Sequence, residues 1–282
     1  MDLATVSFLL GLQAFSLWSI ASSVEGELRR LGIGPMASAL VIPWLTTLPE
    51  TITTVKLAAS GYPVAGLYNA VYSAVIDIFL VAPLIIRRRE AWRLYPALIS
   101  AGLFAALAVA YGAHRSTVTI SSPWLGSGMI VATMALSVFA GLGAVTTTMA
   151  GRNVLNLLSG LAALTFAAWY YAEYATMFAA MIGNQALAGI VNAYLTSMPD
   201  IVYAIVAHES SGLAELSGCI IHDFLEAPGF ATALGKLVVG PKDVAITLAF
   251  ILAAIPLLRL RRNRIIYGAA VFTAFTVLGL YG

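Results

Sequence analysis

Leu45-Thr46-Thr47-Leu48-Pro49-Glu50 lies inside an apolar run, and 150 positions further on the chain reads Leu195-Thr196-Ser197-Met198-Pro199-Asp200. Two copies of one unusual hexapeptide imply an internal duplication. Each copy places a carboxylate, Glu50 or Asp200, where a membrane helix would cross the bilayer interior, and an ionisable group there is costly enough to mark function. Each also carries a proline one residue before the acid. Proline lacks the backbone N–H and its ring clashes with the carbonyl four residues back, so Pro49 frees the carbonyl of Leu45 and Pro199 that of Leu195. Freed carbonyls, the hydroxyls of Thr46, Thr47, Thr196 and Ser197, and a carboxylate on the same turn are hard oxygen donors. That is the ligand set Ca2+ and Na+ take.

The 282 residues are 60% hydrophobic and 10% charged, with a mean hydropathy of +0.91, against roughly a quarter charged in soluble domains. Such a chain is a polytopic, all-α membrane protein. A helical span takes roughly 20 apolar residues, and the apolar blocks use almost the whole length, leaving no soluble domain. A net charge of +2 makes no case for nucleic acid, since the basic residues gather at helix ends. Cys219 is the single cysteine, which excludes an internal disulfide and a thiolate metal cluster. The first segment, about Leu3 to Val24, lacks a basic n-region, carries Asp2 and is long for an h-region. It reads as a retained span and not as a signal peptide.

Taken in order, the expected spans are about Leu3–Val24, Pro35–Ser60, Val64–Ile86, Leu94–Ala113 and Pro123–Thr147, then Val154–Tyr174, Met177–Ala207, Gly212–Leu234, Asp243–Leu258 and Ile265–Tyr281. Gly61-Tyr62-Pro63 turns the chain between the second and third. The short link Gly151-Arg152-Asn153 marks the midpoint, dividing the chain into a repeat over 1–150 and a second over 151–282, with the duplicated motif at about 40–86 and 190–234. Five spans per half is odd, so the second half enters the membrane in the opposite orientation. Ten helices as two inverted five-helix repeats is a plan common in secondary transporters. The basic residues test this layout independently. Alternate loops collect Arg29, Arg30, Arg87, Arg88, Arg89, Arg93, Arg152, Arg259, Arg261, Arg262 and Arg264, and the opposite side only Lys56, Arg115, Lys236 and Lys242, together all 15. By the positive-inside rule both termini lie outside, and the plasma membrane is the expected location.

The repeat also pairs the acids. After Glu50 the third span reads Tyr68-Asn69-Ala70-Val71-Tyr72-Ser73-Ala74-Val75-Ile76-Asp77, and after Asp200 the eighth reads Ala214-Glu215-Leu216-Ser217-Gly218-Cys219-Ile220-Ile221-His222-Asp223. Aligned on their last residues, Asp77 answers Asp223, Ser73 answers Cys219 and Asn69 answers Glu215. Residues four apart share a helix face, so Ser73 accompanies Asp77, Cys219 accompanies Asp223, Thr46 accompanies Glu50 and Thr196 accompanies Asp200. Four helices then offer four carboxylates to one central point.

These two copies resemble the alpha repeats of the cation/Ca2+ antiporter superfamily, the sodium/calcium exchangers and their cation/proton relatives. Those repeats run Gly-Thr-Ser-Leu-Pro-Glu and then, on the next helix, Gly-Ser-Asn-Ile-Phe followed by Asn or Asp. The resemblance covers about 45 residues in each half and, through the ten-span layout, the whole chain. It implies an ion site of Thr46, Thr47, Glu50, Ser73 and Asp77 from the first half with Thr196, Ser197, Asp200 and Asp223 from the second. The departures are Leu45 and Leu195 in place of glycine, Thr47 in place of serine, the shorter Asp200, the charged Asp77 in place of the usual asparagine, and Cys219 where a hydroxyl is usual.

Outside that set the residues read more simply. Glu215 and Glu226, with no acidic counterpart in the first half, read as entrance or loop groups, and His222 as a packing or helix-polar contact in preference to a proton relay. His208 and Glu209 fall in the turn between the seventh and eighth spans. Glu173 sits with Tyr170, Tyr171 and Tyr174 in an aromatic belt, and Gly126, Gly128, Gly141 and Gly143 permit close helix packing. The reading is a gradient-driven antiporter, not an enzyme, that exchanges Ca2+ or a similar hard cation for Na+ and/or H+ by alternating access. It keeps no permanent cofactor, and its partners are inorganic cations and the lipid bilayer, with no nucleic acid and no nucleotide. The rival from another class is an intramembrane hydrolase using Asp77 and Asp223 as an acid/base dyad. Such an enzyme leaves the duplicated Thr-x-x-Pro-acid turns unexplained.

Overall fold

The computed structural model describes residues 4–16, 43–86, 91–141, 154–198, 201, 209–260 and 262–281. Helix α1 is Ala4–Ser16. A helical turn at 43–46 leads into α2, Leu48–Ala59, and α3 follows as Pro63–Ile85. Then come α4, Ala91–Ala110, strand β1, Val118–Ile120, and α5, Pro123–Gly141. The second half opens with α6, Val154–Ile182, and α7, Gln185–Thr196. Helix α8 begins as Glu209–Ile221 and ends as Ala227–Leu234, and β2, Leu237–Val239, α9, Pro241–Arg259, and α10, Arg264–Tyr281, complete the chain. Among the described residues α3, α4, α5 and α9 are each long and apolar enough to cross a membrane.

Helix α3 is the central element: 89% of its apolar window is buried against protein, compared with 28% for α5. It starts where the sequence predicts, after Gly61 in the left-handed region at φ 91° and with Pro63 in its first turn. Helices α2 and α7 flank it. Gly189 of α7 lets two backbones touch, because a Cβ there would lie 2.5 Å from the Ala65 carbonyl oxygen and as close to the Tyr68 Cβ. Gly126 is a close-packing residue as expected, since its Cβ would meet the Gly229 carbonyl at 2.4 Å, whereas Gly128 faces open space.

Two features depart from the sequence reading. The sixth and seventh spans do not divide between Tyr174 and Met177. Helix α6 continues for 29 residues to Ile182, and the break falls at Gly183, φ 71°, and Asn184, whose side chain accepts from the Leu187 N–H at 3.1 Å. Left-handed glycine followed by an asparagine N-cap is a stronger stop than the charge of Glu173. A pair of three-residue strands also joins the halves, β1 antiparallel to β2 with Val118 opposite Val239.

Helices α3 and α8 share a device that no residue pattern announces. Each contains a π-helical turn, Asp77–Val81 in α3 and His222–Glu226 in α8. The Ala82 N–H donates to the Asp77 carbonyl and the Ala227 N–H to the His222 carbonyl, five residues back in each case. Packing holds both turns together. Phe250 of α9 sits between Phe79 of the first, ring centroids 5.7 Å apart, and Phe224 of the second, 5.0 Å apart.

Candidate cation site

The candidate residues of the first half lie on the interrupted helix around Pro49 and on α3 up to its π turn, and Asp223 lies on the π turn of α8. The helical turn at 43–46 ends at Thr47, and α2 resumes with Pro49 in its first turn, where its missing N–H costs nothing. The carbonyl of Pro43 takes up the slack. It accepts the Thr47 N–H at 2.9 Å, the Thr47 hydroxyl at 2.8 Å and the Thr46 hydroxyl at 3.2 Å. Both threonines therefore spend their protons on the backbone and keep oxygen lone pairs for an acceptor's role. Glu50, one turn on from Thr46, is buried beside them.

The second half meets this turn directly. Thr46 Oγ1 lies 3.3 Å from Cys219 Sγ, and a Cβ at Gly218 would lie 2.3 Å from the Pro43 ring. On the other side Thr196 Oγ1 donates to Asn69 Oδ1 at 3.3 Å. Asn69 Nδ2 in turn donates to the Glu50 carbonyl at 3.3 Å and to Thr54 Oγ1 at 3.1 Å. Asn69 is thus a hub that the sequence reading placed only as the counterpart of Glu215. Its signal was its position, one turn before Ser73 on the face that carries Asp77.

Thr46, Thr47, Glu50, Ser73, Asp77, Thr196, Ser197 and Asp223 are all buried. Among the described residues, Ser73 Oγ, Asp77 Oδ1 and Ser197 Oγ have no hydrogen-bond partner. Buried oxygens without donors are costly, and a hard cation is the partner that would satisfy them. Pro199 and Asp200 lie outside the described residues. Among the described residues no three Asp, Glu, His or Cys side chains are grouped to hold a metal ion by themselves.

The remaining acids stand elsewhere than the sequence predicts. Glu215 and Glu226 are not entrance or loop groups, since both are buried. Glu226 contacts His222 one turn away. His222 is fully buried and presents its ring edge-on to Trp44 at 5.2 Å between centroids, the packing contact expected of it. Glu173 does not stand at a helix end. It sits within α6 and pairs with Lys56 of α2 at 2.5 Å, and Lys56 also lies 4.7 Å over the Trp169 ring. His208 lies outside the described residues, and Glu209 opens α8.

No protein-family model and no curated protein sequence matches the chain. Solved structures do. A structure of the sodium-calcium exchanger NCX_Mj soaked with 2.5 mM Na+ and 0.1 mM Ca2+ matches with a TM-score of 0.68 at 15% identity, over 99% of this chain and 98% of that one. The chain has the fold of NCX_Mj. A second NCX_Mj structure, soaked with 100 mM Na+ and 10 mM Sr2+, gives a TM-score of 0.68 at 14% identity over 98% of this chain and 96% of that one. A third, soaked with 2.5 mM Na+ and 0.1 mM Sr2+, gives 0.67 at 16% identity over 99% of both chains.

Proposed function

We propose that the chain is a secondary antiporter that exchanges Ca2+, or a similar hard cation, for Na+ and/or H+. Reciprocal crossing of the hexapeptides carries this reading. Thr46 of the first copy reaches Cys219, which follows the second copy, and Thr196 of the second reaches Asn69, which follows the first. A site assembled from both copies changes whenever the halves shift against each other, which is the requirement of alternating access. The exchanger fold supports the same assignment. In it, Thr46, Thr47, Glu50, Ser73, Asp77, Thr196, Ser197, Asp200 and Asp223 hold the transported ion. Each carboxylate serves the divalent ion in one phase and the counter-ions in the other. The architecture that goes with this function is ten spans in two inverted repeats, 1–150 and 151–282, with both termini outside the plasma membrane.

Uptake of radioactive Ca2+ into proteoliposomes, with a Na+ gradient or a pH gradient imposed alone, tests the proposal. Uptake driven by either gradient supports it and names the coupling ion. Absence of uptake under both, with folded protein in the vesicles, removes Ca2+ from it.

A further inference from the structure

Helix α10 lies along α3 and holds it on both sides of the first π turn. Before the turn, Tyr72 Oη donates to the Phe275 carbonyl at 2.6 Å. Gly279 leaves room for that hydroxyl, since a Cβ there would lie 2.1 Å from it. After the turn, Arg264 Nη1 donates to the Ile86 carbonyl at 2.8 Å. Between these two ties the Phe275 ring stacks on Phe79, with centroids 5.6 Å apart. Asp77, the first residue of the turn, stands in the stretch that they bracket.

The closest approach to the turn itself is at Gly268. A Cβ on it would lie 2.1 Å from the Phe79 carbonyl oxygen and 2.9 Å from the Pro83 Cγ. Pro83 stands four residues beyond Phe79 and offers that carbonyl no N–H. A glycine brings the α10 backbone up to the open carbonyl, where its Cα–H is the weak donor that recurs at helix–helix contacts. Helix α8 has the parallel arrangement. Pro228 stands four residues beyond Phe224 of its π turn, and a Cβ on the next residue, Gly229, would lie 3.0 Å from the Gly126 carbonyl of α5.

We propose that α10 clamps the π turn of α3 through Gly268, and that this clamp sets the direction in which Asp77 meets the cation. A π turn closes its hydrogen bond over one residue more than an α turn. Its loss would rotate Ser73 and Asp77 by about 100° against the end of the helix that Arg264 holds. Gly268 is a positioning residue, since it touches the turn and not the ion. The proposal rests on the exchanger reading and deepens it.

The test is calorimetric Ca2+ titration of the purified full chain, with melting curves, for the wild type, Gly268→Ala, Tyr72→Phe and Gly102→Ala. Stoichiometry reports the folded fraction, and Kd the geometry of the site. Gly268→Ala is expected to weaken the Kd about tenfold at unchanged stoichiometry, within the roughly 2- to 30-fold that residues without ligand contact exert. Tyr72→Phe, which removes the tie to the Phe275 carbonyl, is expected to weaken it by less, and it decides the matter alone if Gly268→Ala does not fold. Gly102→Ala on α4, where a Cβ would meet nothing within 4 Å, leaves the Kd unchanged. In an Asp77→Asn background Gly268→Ala is expected to cost less than in the wild type, because its effect passes through Asp77. A lower melting temperature or stoichiometry at unchanged Kd would mean that Gly268 only packs the helices, and an equal loss of affinity in both backgrounds that it acts elsewhere. Either result overturns the proposal. Failure of the wild type to bind Ca2+ would remove the exchanger reading and this proposal with it.

Discussion

Thr46 and Cys219, 173 residues apart in the chain, face each other across the two halves with 3.3 Å between oxygen and sulfur. A thiol is a soft donor and a hydroxyl a hard one. At this position the chain holds the sulfur of its single cysteine against a residue proposed to hold a hard cation.

Cys219→Ser replaces sulfur by oxygen at nearly constant shape. It is expected to tighten Ca2+ binding by about two- to tenfold, the range of one added oxygen contact, with melting temperature unchanged. Calorimetric titration against the wild type checks this. A weaker or equal Kd would place Cys219 outside the coordination sphere.

Glu50→Gln keeps the side chain's volume and removes its charge. Deleting one partner of a buried ionic contact costs about 3–5 kcal/mol, so Ca2+ affinity is expected to drop by at least about a hundredfold, and exchange is expected to be lost. Flux in proteoliposomes, read beside a size-exclusion profile, is the measurement. Near-normal flux removes Glu50 from the site.

How much of this was legible depended on how far the deciding interaction reached. Pro49 announced the interruption before α2, and Gly61 with Pro63 announced the start of α3, because both act on their own backbone. The π turns were not legible. They are held by Phe79 and Phe224 on either side of Phe250, and no local periodicity records which aromatic rings will meet. The continuation of α6 past Glu173 was missed for the same reason. Its charge is met by Lys56, 117 residues earlier. The fully buried position of Asn69 likewise depends on Thr196, 127 residues later. The duplicated motif disclosed the candidate site, and the amide network around it emerged only once the helices were in contact.

Asn69→Leu removes a carboxamide that serves three buried partners, the Glu50 carbonyl, Thr54 and Thr196. Each group left unsatisfied costs about 1–3 kcal/mol. The variant is expected to lose several degrees of melting temperature in detergent and to bind Ca2+ more weakly, because the Glu50 turn and Thr196 lose their common tether. A melting curve and a binding isotherm check both. Unchanged stability would mean that these groups find other partners.

Lys56→Met breaks the ion pair with Glu173, whose side chain is 47% exposed. Pairs this accessible contribute about 0–1 kcal/mol, so the melting temperature is expected to shift little. A large loss would show that the contact between α2 and α6 depends on this charge.

Asp77→Asn addresses the counter-ion. The proposed site counts four carboxylates, Glu50, Asp77, Asp200 and Asp223, whose full ionisation would leave two negative charges beyond those a bound Ca2+ neutralises. Uncompensated charge in a buried site is costly. The balance falls to protons shared by the group or to Na+, and shared protons belong to the cluster and not to one residue. Asparagine, usual at this position in the family that the motifs resemble, is neutral, so Asp77 is the residue that should set this chain apart. Its Oδ1 is buried and has no hydrogen-bond partner among the described residues, a place for a proton or a cation contact. The variant is expected to flatten the pH dependence of Ca2+ uptake and to weaken uptake driven by a pH gradient, while any Na+-driven component persists. Radioactive Ca2+ uptake at several pH values, with each gradient imposed separately, distinguishes the cases. Wild-type uptake that runs on Na+ alone, ignores a pH gradient and keeps the same pH profile in Asp77→Asn would show that Asp77 is an anionic stand-in for asparagine with no part in proton coupling.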